Sequence, residues 1–469
     1  MATIGALVWF ERGEIERISP HFRERLTITP TKGFDAGPDP EPIEQWVESR
    51  GRIGVPINFG LSLVDHVEEN LSKGTKLVCQ KRPDPNHPSA PKGQAGFFSD
   101  IIQQLKGSYT ALVEAPTGSG KTVAVLNAVA EFQRSALIIV PSKTLMYQWA
   151  EEAKRHLGLT DEQIGLIGDG KEQLGRPFTI CVLHNLFLKI YPQDFYLGFG
   201  FVAWDEAHNL GAREFSKTMR YFPATYRIAV TATPDRKDGC AKIFTNYFGE
   251  VCVKSEQKPL PLVYTLVPFK LKGTPYSLEY TRSNVKPLLW MSEHEERNKL
   301  IVSLIQDKYA EGHTVLVLTK YTKHAQELME LSAKLNGRKR IPENVMGLFT
   351  GKRIVDTPEG PKEKAIKKAE LDNVKEHATV IFATYSMMKE GVDIPRITLG
   401  IEALPISDVR QAVGRARRVY PGKSEAWWIS IKDTGIRPNS VFVFLYQFTS
   451  ARLRSLKKVG GVTINEAAL

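Results

Sequence analysis

From about residue 95 the chain sets short, continuously apolar runs between helix-length segments: Ala111 to Val113, Ala136 to Val140, Thr179 to Leu183, Phe201 to Trp204 and Ile228 to Val230. Runs without polar alternation read as parallel strands, covered on both faces by the helices that cross between them. After a proline-containing stretch, Lys258 to Pro275, the rhythm returns at Thr314 to Leu318, Val345 to Leu348, Thr379 to Ala383 and Trp427 to Ile431. The pattern predicts an α/β chain with two tandem parallel-sheet lobes, over 89–262 and 275–469. Residues 1–88 follow a different rule, with short alternations broken by glycine and proline at Gly37 to Pro40 and Gly51 to Pro56. They predict a small α+β or β-rich accessory module. Lys81 to Lys92 holds four prolines and few apolar residues and reads as the linker that ends it.

Composition narrows the class. The 469 residues are 42% hydrophobic and 25% charged, as in a globular protein. No run approaches the roughly 18 apolar residues of a membrane span, so no membrane partner is expected. The apolar patch Ile4 to Phe10 has no basic residue before it and ends at Glu11, unlike a secretory signal. The expected location is the cytoplasm. A net charge of +11 favours a polyanionic partner. Cys79, Cys181, Cys240 and Cys252 form no C-x-x-C pair and no metal-ligand spacing with histidine.

Three short segments carry chemistry. Ala115-Pro116-Thr117-Gly118-Ser119-Gly120-Lys121-Thr122 follows one apolar run and precedes the helical segment Val123 to Phe132. There, glycines let backbone N–H groups turn onto phosphates, Lys121 brings charge to the β- and γ-phosphates, and the Thr122 hydroxyl reaches Mg²⁺. Ala115 stands where the general phosphate-loop pattern has glycine. The run Phe201 to Trp204 ends in Asp205-Glu206-Ala207-His208, which puts two carboxylates at a strand tip. Asp205 is expected to hold Mg²⁺ while Glu206 orients and deprotonates water, with His208 coupling this loop to its neighbours. The third is Gln411-Ala412-Val413-Gly414-Arg415-Ala416-Arg417-Arg418. If helical, it presents Gln411, Arg415 and Arg418 on one face, as a water-positioning amide and two arginines for charge developing on a γ-phosphate. With a phosphate loop on one lobe and arginines on the other, ATP is expected between them, and closure is expected to complete the site.

In this order the segments resemble superfamily 2 helicases and translocases from Gln94 to about Lys458, which implies RecA-like lobes. The resemblance implies that Gln94 recognises adenine, and that Pro141, Ser142 and Lys143 touch the nucleic-acid backbone. Thr231 and Thr233, in Thr231-Ala232-Thr233-Pro234, are similar to the family's hinge motif that couples hydrolysis to movement. Thr384 with Glu390-Gly391-Val392-Asp393-Ile394-Pro395 resembles the motif that meets both nucleic acid and nucleotide, with Gly391 in coupling, Asp393 toward ATP and Thr384 toward nucleic acid. Arg236 to Gly239, and Val419-Tyr420-Pro421-Gly422-Lys423 after Arg418, look more like XPB-like and UvsW-like DNA translocases than DEAD-box RNA helicases. The compact length looks most like phage recombination and repair helicases.

The resemblance implies an ATPase with ATP and Mg²⁺ that unwinds or remodels duplex or branched DNA with single-stranded regions. An RNA helicase is the alternative, since both backbones are tracked through phosphates and the 2′-hydroxyl separates them. A non-catalytic scaffold has no physical need for Lys121, Thr122, Asp205, Glu206, Gln411, Arg415 and Arg418 together. The basic clusters Arg338 to Arg340 and Arg452, Arg454, Lys457 and Lys458 are candidates for gripping phosphates.

Overall fold

The computed structural model describes residues 2–31, 40–86, 93–116, 119–232, 234, 238–255, 259–273, 284–334, 341–358, 360–389, 394–435 and 441–467, without the side chains of Asp356, Lys389, Gln411, Val441 and Lys458. The chain divides into two units, Met1–Gln257 and Lys258–Leu469.

The first unit is built on an eight-stranded sheet, in the order Lys171–Glu172, Ile164–Gly168, Phe178–Val182, Ala136–Val140, Phe201–Asp205, Tyr226–Thr231, Thr110–Glu114, Val251–Lys254. All neighbours run parallel except the two-residue edge Lys171–Glu172. The unbroken apolar runs follow from burial on both faces. Ala111, Val113, Ile138 and Ala203 meet Val125, Val129 and Trp149 on one side; Leu112, Leu137, Val202 and Trp204 meet Leu186, Phe195 and Phe248 on the other. Leaving Thr110–Glu114, the chain skips two positions to reach Ala136–Val140; Phe201–Asp205 and Tyr226–Thr231 fill the gap later. The carboxyl ends of three adjacent strands therefore end up together beside a reversal of strand order, where open α/β sheets bind ligands.

The N-terminal residues form a five-stranded sheet from Val47–Ser49, Arg52–Val55, Val8–Glu11, Thr3–Ile4 and Glu68–Glu69, with a second ladder of Thr27–Ile28 against Ile43–Glu44. They are part of the first unit. Leu7, Ile28 and Ile43 share one apolar cluster with Trp204 and Phe248. Gln45 Nε2 donates to Ile243 O at 2.6 Å, and buried Arg227 donates from Nη1 to Gly5 O at 2.8 Å. Burial pushes the Arg227 guanidinium down to about 9. The start of the expected linker is strapped to the lobe: Lys81 N donates to Leu157 O at 3.0 Å, Arg82 pairs with Glu131 at 2.9 Å, and Asn127 Nδ2 donates to Pro83 O at 3.1 Å.

The second unit carries a seven-stranded, wholly parallel sheet, in the order Met346–Phe349, Val380–Thr384, Val315–Thr319, Leu399–Glu402, Ala426–Thr434, Leu262–Lys270, Val462–Glu466. The stretch read as an interlobe connection thus supplies a strand of this sheet, Leu262–Lys270, so the second unit begins before residue 262 rather than at 275. Pro268 is tolerated because Val462–Glu466 pairs only with Leu262 to Leu266, leaving that side of the strand without a partner strand at Pro268. Under the sheet, Glu402 accepts from Tyr264 OH at 2.9 Å, Trp428 Nε1 at 2.7 Å, Ser430 Oγ at 3.1 Å and Arg452 Nη1 at 2.8 Å. Both Glu402 and Arg452 are 1% exposed, which removes Arg452 from the candidates for gripping phosphates. Arg338 to Arg340 lie outside the described residues.

Candidate active site

The helix Lys121–Phe132 starts directly behind the phosphate loop, and its N-cap Gly120 sits at φ +81. That left-handed conformation suits glycine, and an added Cβ would collide with the side-chain nitrogen of Gln94. Gln94, the first residue of the helix Gln94–Gly107, is 6% exposed and so lies against the loop, as an amide positioned for a nucleobase would. Ser119 closes the loop's turn on Pro116 O, from N at 3.2 Å and from Oγ at 2.7 Å. Ala115 N donates to Thr231 O at 2.9 Å, tying the base of the loop to the end of the strand Tyr226–Thr231. Ala115 is fully buried. Thr122 follows Lys121 in the first turn of the helix and is partly exposed. Thr117 and Gly118 lie outside the described residues.

Lys121 Nζ stands 3.7 Å from Glu206 Oε1, so the second motif meets the first. His208 Nδ1 lies 3.3 Å from Glu206 Oε2 and 3.2 Å from Thr231 Oγ1. Lys121, Glu206, His208 and Thr231 thus form one continuous polar chain over the tips of three strands. Glu206 adopts φ 49, a left-handed backbone that is rare outside glycine, and its carbonyl accepts from Asn209 N at 3.0 Å and Nδ2 at 2.9 Å. Such a conformation persists only where neighbours hold it, and here it turns the carboxylate toward Lys121.

Asp205 is fixed from two directions. Its Oδ2 accepts from Trp149 Nε1 at 2.9 Å and its Oδ1 from Glu206 N at 2.9 Å. Burial and the Glu206 carboxylate push the Asp205 carboxyl above the usual carboxylate range, while Lys121 and the Trp149 hydrogen bond pull the other way. Trp149 is 1% exposed and belongs to the core of the first unit. Its link to the acidic pair was not legible in the sequence, because 56 residues separate the two.

Ser142 caps the helix Lys143–Leu157 by accepting from Leu145 N at 3.3 Å. Lys143 is exposed beside it and pairs with Asp169 at 3.3 Å, while Pro141 and Ser142 are half-buried. In the second unit, Thr384 ends its strand 5% exposed, and its hydroxyl stays in its own turn, 3.0 Å from Ser386 Oγ and 3.5 Å from Met387 N. The arginine motif forms a short helix, Arg410–Ala416. Arg415 lies on it, 5% exposed, but Arg418 falls beyond its end, so the expected single helical face stops short of Arg418. Burial pushes the Arg418 guanidinium down to about 10. Arg417, which carried no expected role, is a structural tie: it donates from Nε to Leu260 O at 2.5 Å and from Nη2 to Gly460 O at 2.9 Å. Thr233, Gly391, Asp393 and the Gln411 side chain lie outside the described residues. No described helix is long and apolar enough to cross a membrane, and the described cysteines are unbridged.

Comparison with known proteins agrees with this geometry. Residues 88–236 match the family model described as type III restriction enzyme, res subunit. The chain is 25% identical over 405 residues to L396 of Acanthamoeba polyphaga mimivirus, a protein named by inference as an ATP-dependent RNA helicase, covering 84% of this chain and 74% of that one. It is also 25% identical over 368 residues to the DNA 3'-5' translocase XPB2 of Sulfurisphaera tokodaii, covering 72% of this chain and 81% of the relative. Among solved structures, Mss116p bound to ssRNA and AMP-PNP matches with a TM-score of 0.52 at 13% identity, covering 84% of this chain and 83% of that one; this likeness speaks for the fold alone. The two parallel-sheet units are RecA-like lobes. These likenesses support a helicase of superfamily 2 type, an ATPase that depends on nucleic acid.

Proposed function

We propose that the protein is a DNA motor that uses ATP hydrolysis to unwind or remodel duplex and branched DNA, including migration of junctions during recombination, repair or replication. The observation that carries the reading is the chain Lys121, Glu206, His208, Thr231, which joins the phosphate loop to the hinge motif through contacts of 3.7, 3.3 and 3.2 Å. A change of charge at the phosphates is felt by Glu206 and passes through His208 to the hinge strand, which is the physical requirement for coupling hydrolysis to movement.

In this reading Lys121 and the loop amides bind the phosphates and Gln94 reads the base. Glu206 takes the proton of the attacking water. The residues also suit a divalent cation: burial first and the Glu206 carboxylate second raise the Asp205 carboxyl, so added positive charge there favours its ionised form. Mg²⁺ is usually carried largely by substrate phosphates and water, with one or two carboxylates from the protein. Asp205 and the Thr122 hydroxyl would hold Mg²⁺, which when bound neutralises charge on the transferring phosphoryl group. Arg415 and Arg418, with Gln411, are suited to charge that develops on a γ-phosphate late in the step.

The lengthwise match to a named DNA translocase supports DNA, while the match to L396 keeps RNA in view. Turnover of ATP measured with no nucleic acid, single-stranded DNA, duplex DNA, a four-way junction and matched RNA, at one salt concentration, tests the proposal. Strongest stimulation by the junction is expected. Stimulation by RNA alone would move the protein to the RNA helicases.

A further inference from the structure

Beyond the arginine helix, Lys423 turns back into the second unit. Its ammonium donates to three backbone carbonyls: Pro395 O at 3.3 Å, Ile397 O and Ala416 O. A lysine has three N–H donors and here each has a carbonyl, so the group is satisfied without a carboxylate. The three acceptors belong to two different motifs. Ala416 is the last residue of the helix that carries Arg415, and its carbonyl is one of those a helix end leaves without an intrahelical partner. Pro395 is the last residue of Glu390 to Pro395, the segment that resembles the motif meeting nucleic acid and nucleotide, and Ile397 lies two residues beyond it.

We infer that Lys423 is a positioning residue that locks the end of the arginine helix to the segment after the nucleic-acid-contacting motif, so that Arg415 and Arg418 keep their register when nucleic acid binds. The inference rests on the proposed role of those arginines. Several features support the lock. The Lys423 side chain is half-buried, and burial with the nearby Arg418 charge pushes its ammonium down to about 8, so the carbonyls hold a cation that the site otherwise disfavours. Arg418 N donates to Arg415 O at 3.4 Å, so the chain leaves the helix tightly and Arg418 follows wherever Ala416 is held. Lys423 N also donates to Tyr420 O at 3.0 Å, closing the Val419–Lys423 turn that returns the side chain to the helix. This gives the Val419 to Lys423 segment a physical task. An arginine cannot replace the lysine, because its planar fork does not converge three donors on three carbonyls around one point.

The test compares Lys423→Met, Lys423→Arg, Arg418→Ala and the Lys423→Met/Arg418→Ala double variant in the full chain. Nucleic-acid-stimulated kcat is read beside the Kd of a fluorescent ATP analogue and the thermal midpoint. Expected for both lysine variants is a fall in kcat of about tenfold or more with Kd within about twofold. The double variant should lose clearly less than the product of the two single losses, since part of the lysine's effect passes through that arginine. If Lys423→Met does not fold, Lys423→Arg, which keeps the charge and the stem, carries the test. Normal kcat in the lysine variants while Arg418→Ala is slow would overturn this inference and spare the arginine reading. Losses that simply multiply in the double variant would also overturn it. Normal kcat in Arg418→Ala would overturn the arginine reading itself, and the lock with it.

Discussion

Trp149 donates its indole N–H to Oδ2 of Asp205 at 2.9 Å, which anchors the acidic pair to the helix Lys143–Leu157 that Ser142 caps. The bond matters because Asp205 Oδ1 is already held by the Glu206 amide, so the two contacts together fix the plane of the carboxylate. Trp149→Phe keeps an aromatic ring in the core and removes the donor. A hydrogen bond to a charged group contributes roughly 1.5–3 kcal/mol, so stability should fall by about that much. With Asp205 harder to ionise, the Mg²⁺ concentration for half-maximal ATPase should rise about tenfold. Urea unfolding and an Mg²⁺ titration measure the two effects; unchanged Mg²⁺ dependence would remove Trp149 from the site.

Arg452 was a candidate for gripping phosphates and is instead paired with Glu402 in the core. Removing one partner of a buried ion pair strands the other charge, at a loss of roughly 3–5 kcal/mol. Arg452→Met should therefore lower the urea midpoint strongly and leave the salt dependence of nucleic-acid binding unchanged. A flattened salt slope with normal stability would return Arg452 to the nucleic-acid interface.

His324 is buried between Thr319 Oγ1 at 2.7 Å and Asn298 Oδ1 at 3.0 Å. Burial first, and the Arg297 charge second, push it down to about 3 from an ordinary 6.5. Between those values the unfolded chain binds a proton that the folded chain refuses. Its contribution to stability is therefore whole above about pH 6.5 and is lost as pH falls toward 3, at up to about 1.4 kcal/mol per unit. His324→Gln should flatten the fall of unfolding free energy between pH 6.5 and 4.5. Parallel slopes in the two proteins would show that His324 titrates freely.

Much of the fold was legible because parallel strands buried on two faces cannot hide. Ala136–Val140 appears in the sequence as it stands in the sheet, with every residue buried. Strands that carry glycine or charge for a tertiary reason were missed. Ile164–Gly168 contains two glycines, and Leu399–Glu402 contains Gly400, where a Cβ would collide with the Trp428 ring, and Glu402, whose charge is answered by Arg452 50 residues away. Leu262–Lys270 was lost to Pro268, which only the unpaired side of the strand at that point explains. The loop and acidic motifs were readable because phosphate chemistry fixes their spacing. The contacts that organise them, Trp149 to Asp205 and Lys423 to Ala416, join distant residues and leave no local pattern.

Glu206 stands at the centre of the account, facing Lys121 on one side and His208 on the other. The most direct test is steady-state and single-turnover ATP hydrolysis by Glu206→Gln with saturating DNA, beside the Kd of a fluorescent ATP analogue. The amide keeps the size of the side chain and removes the base. Turnover should fall by roughly a hundredfold or more while nucleotide affinity stays within about threefold. Turnover within about twofold of the native protein would contradict the assignment of this cluster as the site of hydrolysis.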